Sequence, residues 1–101
     1  MVEGDTAIAI FRCVQEALSN ILKHARATRV MLSMQLSEQR LRVTIEDDGV
    51  GLPPDAAKKP GSHGLEQMGF RMRAVGGEMR LASALPHGTC TIFFVPVQAP
   101  R

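Results

Sequence analysis

Two alternating runs, RVMLSMQL and LRVTIED, are separated only by the four residues SEQR. Side chains along a strand alternate between its two faces. Val30, Leu32, Met34 and Leu36 therefore share a face, as do Leu41, Val43 and Ile45. So short a connection makes the two runs an antiparallel hairpin. A two-stranded hairpin is not stable by itself, so the rest of the chain must supply strands beside it and a layer over it. Upstream, Thr6 to Ala25 repeats at helical spacing, with Ala7, Phe11, Val14, Leu18, Ile21, Leu22 and Ala25 on one face and Asp5 or Thr6 as a cap. Downstream, Leu65, Met68, Met72 and Val75 mark a second helix, stopped by Gly76-Gly77. EMRLAS and TCTIFFVPV then form two more strands around the turn LPHG. Four strands covered on one face by two helices give an α+β fold, a two-layer sandwich.

The 101 residues suit one domain. With 45% hydrophobic and 22% charged residues the chain is globular and not disordered. A net charge of +2, no Trp or Tyr and only four Phe argue against nucleic-acid binding. Cys13 and Cys90 lie in apolar runs without metal-ligand spacing and read as reduced core thiols, which fits a reducing cytosol. No run approaches the roughly 18 apolar residues of a membrane span, and no signal peptide opens the chain. The start, MVEGDTAIAIF, reads as a boundary cut close to a helix.

Three stretches carry candidate chemistry. In IEDDGVG the alternation of Leu41, Val43 and Ile45 continues to Asp47 and not to Asp48. Asp47 should thus emerge at the edge of the core, where a carboxylate needs a hydrogen-bond donor, while Asp48 points to water. Gly49 and Gly51 allow close approach of a ligand to the backbone. Taken alone, the stretch reads equally as a strand-ending turn or a ligand site. It is not an EF-hand loop. On the first helix, Glu16, Asn20 and His24, with Lys23 beside them, form a polar stripe roughly opposite Phe11, Val14 and Leu18. Small residues (Ala9, Cys13, Ala17 and Ala27) share that stripe, which suggests a face lying under a ligand. Glu16 and Asn20 offer oxygen ligands or a water-orienting base, and Lys23 and His24 offer donors to phosphate. Residues 53–64, PPDAAKKPGSHG, form a long loop of the kind that serves as a lid. Its end, Gly61, His63 and Gly64, leads into a helix start, a natural phosphate cradle. It is neither a P-loop nor a Rossmann fingerprint. Gly88-Thr89, opening the last strand, is a weaker signal.

In this order the stretches resemble the ATP-binding catalytic domain of bacterial sensor histidine kinases, within the gyrase, Hsp90, histidine kinase and MutL superfamily. FRCVQEALSNILKHARAT is similar to its N-box, DDGVG to its D-x-G-x-G box, and GSHGLEQMGFRMRAVGGEM to its second glycine box. The forms QEALSN…KHA and HGLEQM…R…GG most resemble the nitrate-sensor-like subfamily, whose kinases signal to DNA-binding response regulators. The resemblance spans residues 8–97 and implies a Bergerat-type fold with a mixed sheet and helices on one face. It implies ATP and Mg²⁺ as cofactors. Asn20 would coordinate the Mg²⁺, and Glu16 would orient a water or support the γ-phosphate. Lys23 and His24 would contact phosphates. Asp47 would accept a hydrogen bond from the adenine amine, with Gly49 and Gly51 near the base. Gly61, His63, Gly64 and Leu65 would end a mobile lid, and Thr89 would sit near Asp47. Guanine presents a carbonyl in place of the amine and should be rejected.

The resemblance also implies a larger parent, a cytoplasmic kinase with or without a membrane anchor, of which residues 1–101 are one C-terminal domain. Its partners would be its own dimerisation domain, which carries the phosphoacceptor histidine, and a DNA-binding response regulator. This domain itself would touch neither nucleic acid nor membrane. His24, His63 and His87 fall in the N-box, the lid and a turn, so none suits the acceptor role. The family's first strand, which precedes the helix, is expected to be trimmed here, and the lid is short. Two other readings are an anti-sigma-factor serine kinase and a degenerate docking module of the same fold. Intact Asn20, Asp47, Gly49, Gly51 and Gly64 oppose the second.

Overall fold

The computed structural model describes residues 4–50, 63–84 and 87–97, and within these the side chains of residues 24, 25 and 63–65 are not described. Helix α1 spans Gly4–Asn20 and passes into a single π-helical turn, Ile21–Ala25. Arg26, in the left-handed region at φ 53°, ends it. Strands β1 (Val30–Ser37) and β2 (Arg40–Asp47) follow, then helix α2 (His63–Ala74), β3 (Glu78–Ser83) and β4 (Thr89–Pro96). Both helices lie on one side of a four-stranded sheet of order β1-β2-β4-β3.

The α+β class stands, but among the described residues every strand pairing is antiparallel where the resemblance implied a mixed sheet. The connection through α2 does bring β3 parallel to β2. It sets β3 two positions away, and β4 turns back to fill the gap between them. The β1–β2 connection is tighter than SEQR suggested. Only Glu38 and Gln39 turn, both at positive φ (51° and 65°), the pattern of a two-residue hairpin whose turn follows the twist of the strands.

Burial along β2 and β4 alternates strictly, which places Val43, Ile45, Phe93 and Val95 in the core. On the helix-free face, Arg40 and Arg80 stack on Phe94 with ring-centroid distances of 5.0 and 5.1 Å. Cys90 belongs to that outer face and not to the core. Strand β1 is exposed along its whole length, because the two helices cover the middle of the sheet and leave this edge bare.

The buried face of α1 differs from the expected one. Of the expected face, Ile21 is buried and Val14 and Leu18 pack against the core, but Phe11 (63% exposed), Ala7 and Leu22 face out, and Thr6, Ala9, Ile10, Cys13 and Ala17 are buried instead. The cause is the closeness of α1 to α2, which only small side chains permit: the Cys13 thiol lies 3.6 Å from the Met68 carbonyl, to which it donates. Burial there raises the Cys13 pKa to about 11, against a smaller opposing effect of Arg71. Thr6 lies within the first turn of the helix and is buried, not a cap outside it.

Helix α2 ends as expected. Gly77 N–H donates to Met72 O (2.7 Å) and Gly76 N–H to Arg73 O (3.0 Å), with Gly76 at φ 80°: a Schellman motif. Gly77 also has no room for a side chain, since a Cβ there would stand 2.3 Å from Phe94 O.

Candidate functional site

The topology gathers the candidate stretches at one end of the sheet. Asp47 ends β2, and it lies opposite Val30 at the start of β1 and Thr89 at the start of β4. Thr89 in turn lies opposite Ser83 at the end of β3. The C-terminal end of α1 feeds β1 through residues 26–29, so it reaches this same end. Helix α2 delivers the chain to Glu78, at the opposite end of the sheet. Its 12 residues, about 18 Å of helix, run back over the sheet, so its N-terminus points toward Asp47.

Asp47 lies on the helix side of the sheet and is 4% exposed. Its Oδ1 accepts the Gly49 N–H at 2.8 Å, which holds the carboxylate in one orientation and satisfies one of its oxygens. Gly49 is buried and Val50 is exposed. Thr89, also buried, stands across the ladder from Asp47.

Asn20 and Glu16 are both half-buried. At about 100° per residue, Asn20 falls on the stripe of Cys13 and Ala17, so the buried face of α1 becomes polar at its last residue. The small-residue stripe therefore faces the core along most of α1 and meets the candidate site only at its C-terminal end. Lys23 is exposed on the π-helical turn, a geometry found mostly as single turns inserted in helices and often at functional sites. His24 shares that turn, and His63, Gly64 and Leu65 form the first residues of α2. Gly51, Gly61 and residues 53–62 of the expected 53–64 lid fall outside the described residues, and its last two, His63 and Gly64, belong to α2.

Asp48 does more than face water. It accepts hydrogen bonds from Thr28 Oγ1 (2.6 Å), Thr28 N–H (2.8 Å) and Arg29 N–H (2.9 Å), pinning the approach to β1 against the end of β2. The Thr28 hydroxyl, then the Arg29 N–H, lower its pKa from 3.8 to about 2, against a small desolvation effect. A depressed carboxylate stabilises the fold above its unfolded pKa, and that contribution fades as pH falls through the folded one. The melting temperature of the native chain should therefore drop between pH 4 and pH 2 by more than that of Asp48→Ala. Parallel pH profiles would remove the pin.

The turn before β4 does more than the weak Gly88-Thr89 signal implied. His87 Nδ1 lies 3.1 Å from Gly49 O. Gly88, at φ 115°, packs so closely that a Cβ there would stand 1.9 Å from Asp47 O. The only sequence sign of this was the Gly-Thr pair itself. A groove of about 950 Å³ runs between the start of α1 and α2, lined by Ile8, Phe70 and Met79, and includes none of the candidate site residues.

Among the described residues no cluster of three His, Cys, Asp or Glu is placed to hold a metal. No described helix is long and apolar enough to cross a membrane.

Known proteins match this arrangement. The family described as histidine kinase-, DNA gyrase B-, and HSP90-like ATPase matches residues 5–99. An uncharacterised sensor-like histidine kinase of Chloroflexus aurantiacus is 38% identical over 97% of this chain and 17% of its own length. The signal transduction histidine-protein kinase/phosphatase UhpB of Salmonella typhimurium is 43% identical over 81% of this chain and 16% of its own. The nitrate/nitrite sensor protein NarX of Escherichia coli K12 is 29% identical over 95% of this chain and 16% of its own. The chain thus spans about a sixth of the length of these relatives. Among solved structures, a blue-light-activated histidine kinase of Erythrobacter litoralis superimposes with TM-score 0.80 and 30% identity, over 95% of this chain and 32% of that one.

Proposed function

The chain belongs to the histidine kinase-, DNA gyrase B- and HSP90-like ATPase family, and from that premise we propose that it binds Mg-ATP and presents the γ-phosphoryl group to a histidine on a separate dimerisation domain. The observation that carries this reading is Asp47: a buried carboxylate at the end of a central strand, with one oxygen already held by Gly49. Oδ1 being taken, Oδ2 is the oxygen to meet the exocyclic amine of adenine. Thr89 supports the same end of the pocket.

Mg²⁺ prefers hard oxygens and keeps several waters, taking one or two protein groups alongside substrate phosphates. The amide oxygen of Asn20, with the Glu16 carboxylate one turn away, suits that requirement without an all-protein cage. When bound, the ion would neutralise charge on the phosphates, and the protein would supply position and donors. Lys23 and His24, the Gly51 backbone, and Gly61, His63, Gly64 and Leu65 at the entry to α2 complete the proposed contacts to base and phosphates. In the parent kinase the domain would work in the cytoplasm, with its own dimerisation domain and a DNA-binding response regulator as partners. The relatives named above are sensor kinases, which favours this reading over an anti-sigma-factor kinase or a docking module.

The test is phosphorylation, from labelled ATP, of a separately expressed dimerisation domain taken from the parent kinase. Label on its histidine supports the proposal; a chain that binds ATP yet never transfers refutes the kinase step. Asn20→Ala should weaken Mg-ATP by about tenfold and metal-free ATP much less. Equal losses would remove Asn20 from the metal.

A further inference from the structure

Both peptide units flanking Gly49 are held by side chains, one local and one distant. The N–H of Gly49 donates to Asp47 Oδ1 at 2.8 Å, and its C=O lies 3.1 Å from His87 Nδ1, on the turn that opens β4. A carbonyl only accepts, so Nδ1 must carry the proton, in the neutral ring as well as the charged one. Residues on either side of that turn are held: Ala84 N–H donates to Gly88 O at 3.2 Å, and the Gly88 backbone packs against Asp47 and Asp48. His87 therefore reaches Gly49 from a support anchored to the same loop it holds. Glycine has more backbone freedom than any other residue, so a hydrogen bond to Gly49 O restricts a peptide that could otherwise rotate.

We infer that His87 is a positioning residue for nucleotide binding: its Nδ1–H clamps Gly49 O and thereby keeps Asp47 and the Gly49–Val50 backbone in the arrangement that receives the base. This rests on the assignment of Asp47 to adenine. It adds a residue from the turn before β4, one that acts through the Gly49 peptide.

Two measurements on the 101-residue chain decide it. The first is calorimetric titration with ADP. Loss of one neutral hydrogen bond corresponds to about 3- to 10-fold, so His87→Ala should weaken ADP by that factor. His87→Asn, whose amide places a donor where Nδ1–H stands, should restore affinity, and His87→Gln, whose donor lies further out, should not. A His87→Ala chain with native affinity, or a His87→Asn chain as weak as alanine, overturns the inference. The second needs no nucleotide: nitrogen NMR of the neutral His87 ring should show the Nδ1–H tautomer, and a ring protonated at Nε2 overturns the clamp. A native chain that fails to bind ADP but shows the Nδ1–H tautomer would sink the adenine assignment and leave the clamp standing.

Discussion

Replacing Asp47 by Asn is expected to weaken adenine-nucleotide binding by about a hundredfold while leaving the chain folded. Asparagine has the shape of aspartate, and its Oδ1 can keep the Gly49 N–H that Asp47 now accepts at 2.8 Å. Keeping that bond forces the amide nitrogen to the position of Oδ2. A donor then faces the adenine amine, itself a donor. The loss combines a hydrogen bond to a charged acceptor, about 1.5–3 kcal/mol, with the penalty of an unpaired donor in a desolvated place. Calorimetry with ADP reads the affinity and a urea melt reads the fold. Native affinity in the variant would take Asp47 out of the base pocket.

Gly88→Ala should have the opposite profile, damaging fold and site together. At φ 115° an alanine is strained by its own backbone, which costs about 1–3 kcal/mol. Its Cβ would also need the space of backbone atoms, 1.9 Å from Asp47 O and 2.8 Å from Asp47 C. Backbone cannot swing aside as a flexible side chain can, so the start of β4 must separate from the end of β2. Overpacking of that kind adds a further 1–3 kcal/mol or so. The expected result is a urea midpoint well below the native one, with ADP binding lost even where the variant remains folded. A melt and an affinity both equal to native would mean that the turn does not press on Asp47.

The two variants also separate what the sequence makes legible from what it does not. Asp47 could be chosen over Asp48 from parity alone, because strand alternation is rigid and Val43 and Ile45 fix its phase. The end of α2 was legible for a similar reason, since two glycines after Val75 suit one local motif. The buried face of α1 was legible only in part, at Val14, Leu18 and Ile21. Phe11 and Leu22 make the more hydrophobic stripe, yet the interface with α2 and the sheet selects Ala9, Cys13 and Ala17, because close packing rewards small size over hydrophobicity. That choice is made by the partner helix, 50 residues and more along the chain, and no local pattern encodes it.

The role of Asp48 has the same origin. Its three donors come from Thr28 and Arg29, some 20 residues away, across the end of the sheet. The insertion of β4 between β2 and β3 likewise follows from how α2 carries the chain over the sheet, and alternating patterns are silent on strand order. His87 read only as a turn residue, because what it holds is a carbonyl and carbonyls leave no mark in a sequence.

The account turns on Asp47 reading an amine, and a paired titration of the 101-residue chain with ADP and GDP examines that directly. The two ligands share sugar and phosphates and differ where Asp47 is proposed to stand. ADP should bind, and GDP, which sets a carbonyl against the carboxylate, should bind at least about a hundredfold more weakly. GDP binding as tightly as ADP would contradict the assignment of Asp47 to the base.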